Sequence, residues 1–199
     1  MRPRSGDEYR RVLASALEET ERLSRVADDL LTLARSDAGV TRPRPVHADL
    51  AALARDVANR LRPAAEAKGV AIATAPDGAV TGRFDPDLIE RLLRNLIENA
   101  IRFTPAGGRI DVRASRAGAA LEIDVADTGP GIPPADLERI FERFYTSDAA
   151  RAATGLPGGT GLGLSIVRAI ARMHGGEVRA ENRPEGGALL HVTLPAPEA

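Results

Sequence analysis

NLIENAIRFTPAGGRIDVRASRAGAALEIDVADTGPGIP, Asn95 to Pro133, passes from a helix through a hairpin into a glycine-rich loop. The helix begins at Asp85-Pro86, a capping residue followed by proline at the first helical position. It runs to about Phe103 and is stopped by Thr104-Pro105-Ala106-Gly107-Gly108. RIDVRASR and ALEIDVAD then form a hairpin about Ala117-Gly118. Downstream, PADLERIFERF reads as a short helix and residues 146 to 160 as a loop. Leu162 to His174 reads as a helix ended by Gly175-Gly176, and EVRAEN with ALLHVTLP as a second hairpin. Upstream, PVHAD is a short strand and Asp49 caps a helix from Leu50 to about Lys68, ended by Gly69. VAIATA and AVTGRF are short strands around a Pro-Asp-Gly turn. This mixture predicts a two-layer α/β sandwich with a mostly antiparallel sheet.

Residues 8 to 36 read as one long helix ahead of that sandwich. Leu13, Ala16, Thr20, Leu23, Ala27, Leu30 and Ala34 alternate three and four apart, the seam of a helical bundle. Leu17, Ser24 and Leu31 widen it. TRPRP, Thr41 to Pro45, then breaks the chain. One reading is a surface helix packed on its own domain. The favoured one is a bundle helix whose partners lie elsewhere, with self-association through the apolar seam.

The bulk properties narrow the class. The sequence has 199 residues and a formal net charge of -1, so no polyanionic partner such as nucleic acid is implied. It has no cysteine, which excludes disulfides and thiolate metal sites. No apolar run is long enough to span a bilayer and the N-terminus is no signal peptide, so a cytoplasmic location without membrane contact is expected.

Three segments carry chemistry. Asn95 and Asn99 lie four apart on one face of the helix from Pro86, with Arg102 one turn beyond Asn99. Asparagine is a poor helix former, so two on one face need a reason. A neutral oxygen ligand beside a basic residue suits a magnesium–phosphate group, because magnesium keeps several waters and takes few protein oxygens. Asp127, at a strand end before Gly129 and Gly131, can accept a hydrogen bond from an exocyclic amine such as that of adenine. Taken alone, DxGxG is a common turn. Gly158, Gly159, Gly161 and Gly163 precede a helix, and four glycines in six residues suggest close backbone approach to an anion. The spacing is neither a Walker loop nor the dinucleotide fingerprint.

Together the segments NLIENAIRFTP, DVADTGPGIP, IFERFYTSD and GGTGLGLSIV match, in order, the N, G1, F and G2 boxes of bacterial sensor histidine kinases. The resemblance covers residues 46 to 199. It implies the ATP-binding sandwich shared with gyrase, the Hsp90 chaperones and MutL. The helix at 8 to 36 with RSDAG resembles the second helix of the dimerisation and phosphoacceptor domain, and RPRSGDEYRRVLASALEETERLSR looks most like the metal-sensor type. By this resemblance Asn99 is the magnesium ligand, Asn95 its companion, and Arg102 meets phosphate. Asp127 reads the adenine amine and Gly129 and Gly131 line the base. Gly159, Thr160, Gly161, Leu162 and Gly163 form the phosphate-holding segment. Phe141, Phe144 and Tyr145 anchor a nucleotide lid over about 146 to 160. Thr146 stands where relatives usually carry a basic residue, so Arg143 or Arg151 is left to supply the lid charge.

The resemblance also implies domains: a partial dimerisation domain over 1–40, a linker at 41–45 and the ATP-binding domain over 46–199. The ATPase relatives carry glutamate at the position of Asn95, where it activates water. Asparagine cannot take a proton, and Glu98 points about 100° round the helix from Asn99, so slow hydrolysis is expected. None of His47, His174 and His191 lies in a segment like HELRTP, and all three read as structural. The expected function is an ATP–magnesium-binding part of a histidine kinase whose acceptor histidine is outside this sequence. The expected partners are an acceptor-histidine bundle, a response regulator and a second copy through residues 8–36, the parent being an inner-membrane sensor. An ATP-binding interaction module without transfer and a gyrase- or MutL-type ATPase are the alternatives.

Overall fold

The computed structural model describes residues 6–37, 42–75, 78–146 and 160–196. Its elements are α1 (Gly6–Asp37), β1 (Val46–Asp49), α2 (Leu50–Ala67), β2 (Ala71–Thr74), β3 (Thr81–Phe84), α3 (Pro86–Phe103), β4 (Arg109–Ala117) and β5 (Ala120–Asp127). After two 3-10 turns come α4 (Gly163–Met173), β6 (Glu177–Asn182) and β7 (Ala188–Pro195).

Local chemistry sets most of the boundaries. Asp49 Oδ1 accepts the backbone N–H groups of Ala51 and Ala52, at 2.9 and 3.3 Å, and so caps α2. Asp85 does the same for α3, accepting from Asp87 and Leu88. α3 ends where Thr104 turns extended before Pro105, a conformation that the following proline ring favours.

β4 and β5 pair antiparallel from Ile110↔Asp127 to Ala117↔Ala120, and β7 lies between β5 and β6. The five-stranded sheet has the order β2-β4-β5-β7-β6. Its one parallel pair is β2 with β4, in register Ile72↔Ile110. The strands flanking the Pro-Asp-Gly turn therefore do not meet: β3 pairs instead with β1, Val46↔Phe84, in a separate two-stranded sheet. A parallel partner needs a crossover, and the whole stretch from β2 to β4, including α3, supplies it.

Along β5, Leu121, Ile123 and Val125 point inward and alternate with half-exposed Glu122, Asp124 and Ala126. α2, α3 and α4 cover the inward face. Ile89, Leu92, Leu93, Leu96 and Ile97 of α3 and Ile166, Val167 and Ile170 of α4 are fully enclosed. Each such side chain contributes about 1.5–3 kcal/mol on burial, which outweighs any single surface ion pair. On the other face His191 bridges Asp124 (2.6 Å) and Thr193 (3.0 Å).

One expectation needs correction. PADLERIFERF is not a helix but two 3-10 turns, Pro134–Asp136 and Arg139–Phe141; Phe141 is drawn into the core with Ile140 partly buried against it, while Glu138, Arg139 and Glu142 stay outside. In α1 the leucines of the apolar seam are left uncovered by the sandwich: Leu13, Leu17, Leu23, Leu30 and Leu31 face outward. The sandwich is met by a neighbouring stripe, with Leu33 buried and Val26 partly so. That stripe is fastened by Arg91 of α3, which reaches Asp29 and Thr32, both at 2.6 Å.

Candidate functional site

α3 is the axis of the site. Asn95, Asn99 and Arg102 are all half-buried on one of its sides, away from the leucine-rich face. Asn95 Nδ2 donates to the Arg91 carbonyl one turn back, at 2.8 Å. Its Oδ1 faces Gly163, the first residue of α4: a Cβ there would lie 3.0 Å from that oxygen. The missing side chain thus lets the start of α4 come up against α3. No side chain among the described residues caps that helix start, and a terminus with open backbone N–H groups favours an anion.

Among the described residues, Asn99 has no hydrogen-bond partner for its amide. Nε of Arg102 is buried and likewise unpartnered, and its guanidinium lies 5.6 Å from the Phe103 ring. Burial lowers the Arg102 pKa from its ordinary value without removing the charge. Lys68 Nζ donates to the carbonyls of Ile101 (2.8 Å) and Arg102 (2.6 Å), closing the C-terminal end of α3 with a cation.

The loop after β5 lies at that same end. Asp127 is buried, 7% exposed. Its Oδ1 accepts from the N–H of Gly129 (2.7 Å) and of Ala188 (3.3 Å), which leaves Oδ2 for a further donor. Burial pushes the Asp127 carboxyl up from its ordinary value, and the two amides and the Arg183 charge pull it part of the way back. A Cβ at Gly129 would sit 2.8 Å from Asp127 Oδ1 and 3.0 Å from the Phe103 carbonyl, so the loop and the end of α3 are in contact. Gly131 follows with φ +77°.

The aromatic segment frames the other side. Phe141 is buried, 5% exposed, while Phe144 is exposed and holds a φ of 60°, rare for a bulky side chain. Its N–H donates to the Gly161 carbonyl at 3.0 Å. Tyr145 donates its hydroxyl to Asp136 at 2.7 Å, a bond that pushes its pKa up, and Arg139 stacks 4.4 Å from its ring. Thr160 accepts from the Leu162 N–H at 3.3 Å. Leu162 itself is a core residue with no exposed side chain, so only its backbone can serve a ligand. Arg151 and Gly159 lie outside the described residues.

Tertiary structure therefore brings together Asn95, Asn99, Arg102, the Asp127 loop and the start of α4. Sequence reasoning missed Asn182 and Arg183, which hold the Asp127 loop from the β6–β7 turn. It also missed Arg91. A strand-ending asparagine signals only a turn, and its contact lies 50 residues away. His174 is structural: Nε2 accepts from the Asp85 N–H (3.1 Å) and Nδ1 donates to the Ile170 carbonyl (2.9 Å).

Residues 84–198 match the family model described as histidine kinase-, DNA gyrase B-, and HSP90-like ATPase. The chain is 42% identical over 195 residues to the sensor protein IrlS of Burkholderia pseudomallei, covering 98% of this chain and 41% of that protein. It is 41% identical to a probable sensor histidine kinase of Mycobacterium tuberculosis, covering 98% of this chain and 49% of that protein. The chain thus spans about half, or less, of the length of these curated relatives. Among solved structures, full-length ShkA in complex with AMPPNP superposes with a TM-score of 0.81 at 31% identity, over 100% of this chain and 41% of that one. The catalytic domain of the histidine kinase ThkA gives a TM-score of 0.67 at 28% identity, over 77% of this chain and 96% of that one. No described helix is long and apolar enough to cross a membrane.

Proposed function

The chain belongs to the histidine kinase-, DNA gyrase B- and HSP90-like ATPase family, and from that premise we propose that it is the ATP-binding part of a sensor histidine kinase, supplying the γ-phosphoryl group to a histidine. The carrying observation is the start of α4 held against Asn95, on the same side of α3 as the Asn99 amide, with neither a side-chain cap on that start nor a partner for that amide among the described residues. Phosphates meet that helix start and Arg102; the adenine amine meets Asp127 Oδ2. Magnesium fits the Asn99 oxygen, a neutral donor that leaves room for water and phosphate, and supplies charge neutralisation at the triphosphate when bound.

Phosphoryl transfer to an imidazole needs little base chemistry, because the attacking nitrogen already carries a lone pair. Positioning and charge neutralisation therefore carry most of it. Asn95 fits this division. Its amide is held by the Arg91 carbonyl and cannot take a proton from water, so hydrolysis is slow and the phosphoryl group is kept for the acceptor. His174 and His191 are held in structural contacts, and exposed His47 lies in β1 and in no segment like HELRTP, so this reading assigns the acceptor role to a histidine on a separate bundle.

Residues 1–40 then belong to the dimerisation and phosphoacceptor domain, 41–45 to a linker and 46–199 to the ATP-binding domain. The exposed leucines of α1 support pairing with a second copy or with the rest of a bundle. A response regulator is the downstream acceptor. The test is to mix the chain with ATP, magnesium and a bundle that carries the acceptor histidine. Phosphohistidine on the bundle is expected. Intact ATP binding with no transfer to it would sink the kinase reading and favour an ATP-binding interaction module.

A further inference from the structure

Asn182 ends β6 on the protein surface, yet both ends of its amide are engaged by a single distant residue. The Ile132 N–H donates to Asn182 Oδ1, and Asn182 Nδ2 donates to the Ile132 carbonyl, each at 2.7 Å. Only asparagine and glutamine offer an amide donor and acceptor side by side in this way. The match is close in space as well: a Cβ at Gly131 would lie 2.7 Å from Asn182 Oδ1, so the loop reaches the amide because position 131 carries no side chain. The next residue holds the loop's other end. Arg183 Nη1 donates to the Asp127 carbonyl at 3.1 Å, and the Arg183 N–H donates to Gly187, closing the turn at 3.0 Å.

The need for such a clasp follows from the loop's composition. Gly129 and Gly131 give the backbone freedom that would let Asp127 to Ile132 wander. A carboxylate that discriminates one base from another must be held to within about half an ångström. The order that the loop lacks must come from outside it, before ligand arrives. We propose that Asn182 is a positioning residue that sets the base-facing geometry of the 127–132 loop and through it the preference for adenine over guanine. The inference rests on the nucleotide reading of this site.

The experiment is calorimetric titration of the chain with ADP and with GDP, for the wild type, Asn182→Ala and Asn182→Asp. The aspartate variant keeps the size, keeps the bond from the Ile132 N–H and sets an oxygen against the Ile132 carbonyl. ADP affinity is expected to fall about tenfold in both variants. GDP affinity should change by less than about twofold, and melting should stay within about 2 °C of wild type. Unchanged ADP affinity, or equal losses for ADP and GDP, would overturn the positioning role while leaving the nucleotide site standing. No ADP binding by the wild type would overturn the nucleotide reading itself, and this inference with it.

Discussion

Arg91 of α3 and Asp29 of α1 form an ion pair at 2.6 Å, their side chains only 18% and 19% exposed, and the second terminal nitrogen of Arg91, Nη1, reaches Thr32. This is the polar fastening of the long helix to the sandwich, beside buried Leu33. It lies one turn from Asn95, so the position of α1 and the site side of α3 share a residue. A half-buried, doubly hydrogen-bonded guanidinium contributes more than an exposed pair. A double-mutant cycle on Arg91→Ala and Asp29→Ala should return a coupling of about 1–2 kcal/mol by urea unfolding. Amide exchange in residues 26–33 should quicken in either variant. A coupling near zero would mean that Leu33 and its neighbours alone hold α1.

Asp127→Asn should separate binding from stability. Burial raises the Asp127 pKa, so the folded state binds this proton more tightly than the unfolded state. That contribution to stability is fully present below the ordinary carboxylate pKa and is lost as pH rises through the folded value. The asparagine variant never ionises. At neutral pH it should melt higher than wild type, with the difference vanishing near about pH 3. Its ADP affinity should nonetheless drop, because an amide donor replaces the oxygen that would meet the adenine amine. A variant that binds ADP as well as wild type removes the base-reading role.

Asn99→Ala should touch only the metal-dependent share of binding. Calorimetry with ADP alone should give wild-type affinity, while the gain on adding magnesium should shrink about tenfold. Equal weakening with and without magnesium would count against the ligand assignment.

Gly131→Ala should destabilise by about 1–2 kcal/mol, since φ is +77° and the new methyl would meet Asn182 Oδ1. The loss should be smaller in an Asn182→Ala background, where the obstruction is gone. Strict additivity in denaturant unfolding would show that backbone strain alone is responsible.

His174→Ala should lose about 1–2 kcal/mol by the same measurement, because the Asp85 N–H would be left without its acceptor and the end of α4 would lose its tie to the start of α3. No loss would mean that water replaces the imidazole there.

The local features were legible in the chain because each is a short-range rule. Asp49 and Asp85 cap the amides that follow them, Pro105 stops α3, and the glycine runs mark loops whose order carries the family resemblance. The spacing of Asn95, Asn99 and Arg102 places them on one side of a helix wherever that helix lies. Three arrangements needed tertiary structure. β2 chose β4 over β3, because a parallel partner reached across α3 is as consistent with the pattern as a hairpin. α1 turned its Val26–Leu33 stripe inward and left its leucine seam outside, because periodicity shows which faces are apolar but not which one has a surface to cover. The clasp of Asn182 on Ile132 joins residues 50 positions apart, and a contact of that range depends on where two loops are carried by the sheet between them.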